Sequence, residues 1–427
     1  MTNIQTLTNE IMSGKLDERL LDIYQTPERV SREKKRLTGA IAEFATLFPA
    51  DHEIEIYSAP GRSEIGGNHT DHQNGEVLAA SITDDAIAVV SAVDAPEIRL
   101  LSRGYEMISL SLENLDQSSV TEGTTGALIA GVAAGMRKRG YRIGGFHAYV
   151  TSDVLSGSGL SSSAAFETII GNIFSGLYND DKVSAIEIAQ IGQFAENVYF
   201  GKPCGLMDQM ACSVGSLCHI DFADPENPLV ERLSFDLQKA GFSLFITDTK
   251  GSHADLTPDY AAVPAEMKSV AALFGQEVLR EVSEDDILQN VSSIRQKCGD
   301  RAFLRAVHFY EENKRVKALA AAIRENDIRT FLEAVRASGN SSFKFLQNVY
   351  TTSDVAHQNV SVALLLSEKV LGNEGACRVH GGGFAGTIQA FVKKEQAQEY
   401  RSMMEHVFGE GSCNELGIRK YGGIRII

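Results

Sequence analysis

The chain lacks a long apolar segment, and its cysteines do not form the patterns of secreted or metal-binding domains. No run of about eighteen apolar residues occurs in its 427 residues, so a membrane-spanning helix is not expected. The amino-terminal segment also lacks the apolar core of a secretory signal. The six cysteines include no CxxC pair and are too sparse for a disulfide scaffold, which indicates free thiols. These absences predict a cytoplasmic protein.

Basic residues are also fewer than acidic residues. The chain has 40 Lys and Arg against 56 Asp and Glu, for a net charge of −16. Binding to nucleic acid or to an anionic membrane depends on a basic surface, so neither partner is expected. The sequence leaves the oligomeric state open between a monomer and a weak dimer.

Length and composition predict a globular protein of two domains. Hydrophobic residues make up 43% and charged residues 22% of the chain, as in ordinary soluble proteins. A chain of this length exceeds the size at which a single core keeps growing. The Pro-rich punctuation at Asp224–Pro228 places the predicted boundary near residue 225.

Hydrophobic periodicity predicts a first half that mixes helices and strands, followed by a helix-rich block from Tyr260 to Leu371. Residues 1–50 fit helices, and the next strand is predicted to end at Ser58, before a break at APGR. Further strands are predicted at Ala86–Val93, Glu97–Leu101, Met107–Leu112, Phe146–Val150, Phe242–Thr247, Cys377–His380 and Thr387–Lys393. Further helices are predicted at Thr125–Arg139, Ala164–Leu177 and Lys182–Phe200.

Two common nucleotide-binding motifs are missing from the segment GSGLSSSAAFE, Gly157–Glu167. No GK[ST] follows its glycines, and Ser162 stands where a dinucleotide fingerprint has its third glycine, which argues against P-loop NTPases and Rossmann dehydrogenases. The segment does place two glycines and four serines between a predicted strand and a helix. The amino-terminal end of a helix favours a bound anion, so the segment predicts a phosphate-binding loop. An ordinary serine-rich helix cap would have the same sequence and remains an alternative.

Two further segments collect polar residues in glycine-punctuated sequence. In APGRSEIGGNHTDHQNG, Ala59–Gly75, the charged residues indicate either surface or a binding site, because burying them without partners is costly. Short Asp, Asn and His side chains suit a hydroxyl-rich ligand, whereas the spacing of the histidines and acids matches no standard metal framework. In FAENVYFGKPCGLMDQMAC, Phe194–Cys212, a rigid turn precedes Asp208, and a capping or surface role for that residue remains open.

Together these segments resemble the galactokinases of the GHMP kinase superfamily. Galactokinase motifs of the forms GRVNLIGEHTDYN, PxGxGLSSSAA, AEHxFxGxPCGIMDQ and GGGFGG are matched in order by GRSEIGGNHTDHQ, GSGLSSSAA, AENVYFGKPCGLMDQ and GGGFAG. Four ordered motifs make coincidence improbable. The resemblance implies an α+β fold of two domains, with a mixed amino-terminal sheet like that of ribosomal protein S5, a helix-rich carboxy-terminal α/β domain and a site in the cleft. It leaves residues 1–30 as an extension, so the expected domains are 31–225 and 226–427.

The resemblance also implies an activity: ATP-dependent phosphorylation of a sugar at its 1-hydroxyl, with galactose as the leading acceptor. By matching positions, Asp208 is the expected general base, Arg62 its partner, and Ser162 with Glu196 the ligands of Mg²⁺. The expected ATP phosphate contacts are Gly157, Ser158, Gly159, Leu160, Ser161, Ser162 and Ser163. The expected sugar contacts are Asn68, His69, Asp71, Gly205 and Tyr260, with a glycine turn at Gly381, Gly382 and Gly383.

The chain departs from the galactokinase motif mainly on the sugar side. Asn68 stands where the family has a Glu that contacts the sugar 6-hydroxyl, and Glu64 stands where the family has Asn. We hypothesise that Asn68 shifts recognition at C6, so that galacturonate or another C6-modified sugar becomes an alternative substrate. A non-catalytic sugar and ATP sensor is a second alternative, and mevalonate or homoserine kinase activity is a third.

Overall fold

The computed structural model describes residues 1–154, 159–251 and 256–427. Its helices are α1 (Ile4–Ser13), α2 (Asp17–Tyr24), α3 (Pro27–Leu47), α4 (Thr125–Lys138), α5 (Ser162–Asn179), α6 (Ala185–Phe194), α7 (Met207–Val214), α8 (Thr257–Ala272), α9 (Glu284–Gln289), α10 (Val291–Cys298), α11 (Asp300–Glu325), α12 (Ile328–Ser341), α13 (Asn359–Leu371) and α14 (Ala397–Phe408). Short π-helical turns extend α6 and α12 over Ala195–Phe200 and Ser342–Leu346. Within the described ranges, no helix has both the length and the apolarity needed to cross a bilayer.

The strands form two sheets, which define a larger and a smaller lobe. They are β1 (Thr2–Asn3), β2 (Glu53–Gly66), β3 (Glu76–Val93), β4 (Glu97–Ser102), β5 (Ile108–Ser111), β6 (Gly145–Ser152), β7 (Leu217–Asp221), β8 (Leu229–Leu233), β9 (Phe242–Asp248), β10 (Ala376–Val379), β11 (Thr387–Lys393), β12 (Cys413–Leu416) and β13 (Ile424–Arg425). The larger sheet follows the order β1-β2-β3-β6-β4-β5, with β13 added beside β2 and the hairpin β7-β8 beside β3. The smaller sheet follows the order β10-β11-β9-β12.

The larger sheet is covered by helices on both faces. Successive side chains of a strand point to opposite faces, so Ile54 and Ile56 of β2 pack with α1–α3, whereas Tyr57 packs with α4–α6. All three side chains are completely buried. The lobe is therefore a sandwich of helix, sheet and helix layers around two apolar cores.

Strand β2 is longer than the sequence pattern predicts. The expected break at APGR is wrong: β2 continues to Gly66, with register shifts between Pro60 and Arg62 and between Glu64 and Gly66. A bulge tolerates proline inside a strand because the ladder is interrupted there. At this interruption the backbone N–H of Arg62 bonds to Leu160 O (3.0 Å). The bulge thereby joins the strand to the segment predicted to hold phosphate.

The other predicted elements are largely confirmed. The helix-rich block from Tyr260 to Leu371 forms α8–α13, and the two predicted strands beside the glycine run form β10 and β11. The predicted domain boundary near residue 225 falls inside the hairpin β7-β8, whose strands pair directly. Strand pairing thus continues the larger lobe to Leu233, while the division into domains stays a prediction.

The first and last parts of the chain meet in the larger lobe. Strand β1 pairs with β2, and buried Asp85 accepts hydrogen bonds from Tyr24 Oη (2.8 Å), Arg36 Nη1 (2.6 Å) and Arg419 Nη1 (2.8 Å). The carboxy-terminal segment contributes β12 to the smaller sheet and β13 to the larger one. Residues 1–30 therefore pack as part of the larger lobe, and the chain end ties the two lobes together.

Candidate active site

Arg62 and Asp208 form an ion pair at the start of helix α7. The guanidinium grips the carboxylate with two hydrogen bonds, from Nε to Oδ1 (2.7 Å) and from Nη2 to Oδ2 (2.9 Å). The Arg62 side chain is 7% exposed, whereas that of Asp208 is 31% exposed. Two parallel bonds fix the direction of both groups. The contact expected between these residues is therefore present, and the carboxylate is the member of the pair that solvent reaches.

The surroundings of Asp208 keep its carboxylate ionised. Burial alone would raise the pKa of Asp208, but the charge and hydrogen bonds of Arg62 outweigh burial, and the Ser161 hydroxyl adds a further hydrogen bond. The pKa of Asp208 therefore lies below its usual value. An ionised carboxylate with an exposed edge can accept a proton from a bound hydroxyl group.

The segment before helix α5 approaches this pair directly. Gly159 O accepts a hydrogen bond from Arg62 Nη1, and Gly159 adopts a φ of +71°. Ser161, the residue before α5, has a φ of +63°, and its hydroxyl donates to Asp208 instead of capping the helix. The expected phosphate contacts Gly157 and Ser158 lie outside the described residues. The described part of the loop places Leu160, Ser162 and Ser163 at the helix start beside the ion pair.

Two buried carboxylates lie beyond the same helix start. Gln209 Nε2 bridges them, donating to Glu167 Oε2 (3.1 Å) and to Glu196 Oε2 (2.8 Å). Glu196 also accepts hydrogen bonds from Ser163 Oγ (3.2 Å) and Lys202 Nζ (3.0 Å). The family resemblance implies that Ser162 and Glu196 are the ligands of Mg²⁺. In the structure, the hydroxyl group that contacts Glu196 is that of Ser163.

The electrostatics of this carboxylate pair fit a hard cation. Burial, with the charge of Glu196 added to it, raises the pKa of Glu167 well above its usual value. Glu167 Oε1 is buried and has no hydrogen-bond partner among the described residues. A hydroxyl and two carboxylates, one with an unused oxygen, are the donor types that Mg²⁺ takes from proteins.

Three of the residues predicted to contact a sugar, Asn68, His69 and Tyr260, contact one glycine turn, Gly381–Gly383. His69 Nε2 is 3.1 Å from Gly382 O, and Tyr260 Oη donates to Gly383 O (2.8 Å). Burial and the neighbouring His72 lower the pKa of His69 to about 3, so its imidazole is neutral. Gly205 lies against Asp71, because a Cβ at Gly205 would be 1.9 Å from Asp71 Oδ2. His69 and Tyr260 thus contact the turn Gly381–Gly383, and Asp71 separately contacts Gly205.

Comparison with known proteins agrees with this geometry. Residues 127–216 match the family model "GHMP kinases N terminal domain", and residues 42–92 match "Galactokinase galactose-binding signature". A curated galactokinase of Streptomyces coelicolor is 29% identical over 375 residues, covering 87% of this chain and 93% of the relative. The chain is a galactokinase-like GHMP kinase. Membership of this superfamily implies ATP as the phosphoryl donor.

Further relatives extend the comparison. A galactokinase of Glaesserella parasuis is 29% identical over 361 residues, covering 81% of this chain and 87% of the relative. The crystal structure of Lactococcus lactis galactokinase complexed with galactose superposes with a TM-score of 0.77 at 23% identity, covering 90% of this chain and 98% of that one. A mevalonate kinase structure gives a TM-score of 0.59 at 14% identity, covering 85% and 99%. The α+β GHMP kinase fold expected from the sequence is confirmed.

Asn68 of the kinase does not have the surroundings that the sequence led us to expect. Its side chain is completely buried, and Nδ2 donates to the Glu64 carboxylate (3.0 Å) and to Gly381 O (2.8 Å). Its Oδ1 accepts from Asn348 Nδ2 (2.7 Å) and Ser342 Oγ (3.3 Å). These contacts use the full hydrogen-bonding capacity of a carboxamide. The geometry therefore does not support a direct hydrogen bond from Asn68 to a sugar.

Sequence reasoning missed several buried groups near the site. Glu167 could have been found, because it follows Ser163 by four residues and so lies on the same face of α5. His380 had no such signal: its Nε2 accepts from the backbone N–H of Glu64 (3.3 Å), and Nδ1 is 3.0 Å from Thr387 Oγ1. Burial, with the charges of Arg62 and Arg378, holds the pKa of His380 well below its usual value. A neutral His380 therefore joins β2 to β11.

The contact between Gly205 and Asp71 gives a testable prediction. Gly205→Ala places a methyl group 1.9 Å from Asp71 Oδ2, so the carboxylate must move. We expect the KM for sugar to rise on the order of tenfold or more, the effect of losing one hydrogen bond from a charged group. Steady-state kinetics with varied sugar measures the change. Gly39→Ala is the matched control, because a Cβ at Gly39 meets nothing within 4 Å; an unchanged KM in Gly205→Ala would contradict the prediction.

Proposed function

We propose that the kinase transfers the γ-phosphoryl group of ATP to the anomeric 1-hydroxyl of a hexose, with galactose as the leading acceptor. Support comes chiefly from the ion pair between Arg62 and Asp208, which contacts the phosphate-loop residues Gly159 and Ser161. The galactose-binding signature at residues 42–92 covers Arg62, His69 and Asp71. A sugar kinase needs such an arrangement, because a base must meet both the acceptor hydroxyl and the donor phosphate.

In the proposed reaction the partly exposed carboxylate of Asp208 accepts the proton of the sugar 1-hydroxyl. Arg62 keeps this carboxylate ionised and directed, and its fixed charge stabilises negative charge that spreads over the transferring group. His69, Asp71 and Tyr260 orient the sugar hydroxyls. Backbone groups of the Gly157–Ser163 loop and the first turn of α5 hold the ATP phosphates. Most of the rate enhancement then comes from positioning and electrostatics.

We further propose that Glu196 and a serine at the start of α5 hold Mg²⁺. The sequence indicates Ser162, and the hydrogen bond from Ser163 Oγ to Glu196 makes Ser163 the stronger candidate. Glu167 supports Glu196 through the shared Gln209 bridge. Bound Mg²⁺ would offset the negative charge of the ATP phosphates.

The metal assignment predicts the behaviour of Glu196→Gln. We expect the affinity for a non-hydrolysable ATP analogue in the presence of Mg²⁺ to fall on the order of 10–100-fold, because a neutral amide replaces an anionic ligand. Metal-free binding of the analogue should change little. Calorimetric titration with and without Mg²⁺ separates the two quantities. The exposed residue Glu226 supplies the control Glu226→Gln, and a loss in Glu196→Gln that does not depend on metal would contradict the assignment.

A panel of sugars tests the proposed function. ADP release should depend on galactose, and phosphorus NMR of the product should show an anomeric phosphate. Release with galacturonate in preference to galactose would support the C6-modified alternative, and release with mevalonate or homoserine would exclude a sugar kinase. Thermal stabilisation by sugar without any ADP release would identify a sensor. We favour turnover, because both Arg62 and Asp208 are present and in contact.

A further inference from the structure

At positions 64 and 68 the chain carries a residue type different from that of the galactokinase motif. The motif GRVNLIGEHTDYN has Asn at the position of Glu64 and Glu at the position of Asn68. The chain therefore keeps one carboxylate and one carboxamide but exchanges their places.

The exchanged residues contact each other inside the protein. Asn68 Nδ2 lies 3.0 Å from Glu64 Oε1 and 3.2 Å from Glu64 Oε2. Glu64 is 2% exposed and Asn68 is 0% exposed, so solvent compensates neither group. In such surroundings the two positions share one electrostatic environment, and a change at one is felt at the other.

The carboxylate at position 64 neutralises a buried cation of the smaller lobe. Arg378 of β10 is 0% exposed, and its Nη2 donates to Glu64 Oε1 (2.6 Å), while Nη1 donates to Ile65 O (2.9 Å). Removing the carboxylate would leave the guanidinium without this anionic partner. Adding a second carboxylate at position 68 would place two like charges about one hydrogen bond apart. Either single change therefore alters the number of buried charges beside Arg378, whereas the double change keeps that number constant.

The carboxamide at position 68 holds the glycine turn beside the proposed sugar site. Asn68 Nδ2 donates to Gly381 O (2.8 Å), a contact that a carboxylate cannot make because it has no N–H. Asn348 Nδ2 donates both to Asn68 Oδ1 (2.7 Å) and to Gly382 O (3.1 Å). Gly382 O is also the atom that faces His69 Nε2. Asn68, Asn348 and His69 thus all contact carbonyl oxygens of this turn.

We infer that Glu64 and Asn68 act as one exchanged pair, in which Glu64 balances Arg378 and Asn68 is a positioning residue for the turn Gly381–Gly383. Sugar affinity then depends on Asn68 through the turn and not through direct contact. The kinetic part of this inference rests on the proposed sugar kinase activity. The electrostatic part is independent of it, because it concerns the stability of the folded chain.

Three variants test the electrostatic part by thermal melting: Glu64→Asn, Asn68→Glu and the double variant. Each single variant should lose several degrees in Tm or fail to fold, and the double variant should recover part of the loss, because it restores the number of charges but not the N–H donated to Gly381 O. The inference that Glu64 and Asn68 act as a pair would be contradicted by a double variant whose loss in Tm equals the sum of the two single losses. It would also be contradicted by single variants that melt at the temperature of the parent protein. This measurement needs no substrate and remains decisive if no sugar is turned over.

Asn348→Ala tests the positioning part without changing any charge. We expect the KM for sugar to rise on the order of tenfold, the effect of removing hydrogen bonds at a buried site, while the KM for ATP stays within about twofold. A role in folding alone would lower Tm and leave both KM values unchanged. Equal changes in the two KM values, or an unchanged KM for sugar, would overturn the positioning role. If turnover is absent, calorimetric titration with galactose replaces KM.

Discussion

Asp208→Asn is expected to lower kcat by on the order of 10²–10⁴-fold, the usual contribution of a general base, while sugar affinity stays close to its original value. The amide keeps an oxygen that accepts a hydrogen bond from Arg62, so the site retains its shape. The amide cannot take a proton from the 1-hydroxyl of the sugar. Single-turnover kinetics measures the chemical step, and calorimetry measures sugar binding independently.

Ser161→Ala is the graded control for this variant. It removes the hydroxyl that donates to Asp208 but leaves the carboxylate and Arg62 in place. We expect a loss much smaller than that of Asp208→Asn, because the base itself remains. If Asp208→Asn keeps more than about a tenth of the original kcat, a value outside the range expected for a general base, another group must accept the proton.

Arg62→Gln should produce the second large effect, a loss in kcat/KM on the order of 10²–10³-fold together with a shift in its pH dependence. Arg62 holds the pKa of Asp208 below its usual value, so Asp208 is already deprotonated in the original protein at weakly acidic pH. Without the guanidinium, burial raises this pKa. The acid limb of the profile of kcat/KM against pH therefore moves to higher pH in Arg62→Gln.

Arg62→Lys separates charge from geometry. The ammonium group retains the positive charge and should keep the acid limb near its original position. It lacks the planar fork that makes two bonds to Asp208, so kcat should remain reduced. An acid limb that does not move in Arg62→Gln would show that the titrating group is not Asp208.

The sequence predicts most elements of the fold but not the course of β2 through Pro60. Proline and glycine end strands in general, and no local pattern indicates the bulge that keeps this strand going. At the bulge the strand makes a tertiary contact, the bond from Arg62 N to Leu160 O, with a partner about a hundred residues away in the chain. The same limit explains the short strands β7 and β12, whose partners β3 and β9 are distant in the chain.

The candidate site divides in a similar way. The motifs identify Arg62 and Asp208, and the structure brings them into contact. They do not fix which serine faces Glu196, because one step along α5 turns the side chain by about 100°. For Asn68 the sequence reveals a changed residue type but not its partners: Glu64 is near in sequence, while Asn348 and Gly381 come from the other half of the chain. A substituted position can therefore be found from sequence, whereas the reason for the substitution requires the fold.

The path of the last fifteen residues has a consequence for motion. Strand β12 is hydrogen-bonded into the smaller sheet, β13 into the larger one, and Arg419 between them is anchored on Asp85 together with Tyr24. The lobes cannot drift apart as independent bodies while this strap holds. A rotation of one lobe against the other would therefore have to bend the segment between β12 and β13 or break the contact of Arg419 with Asp85.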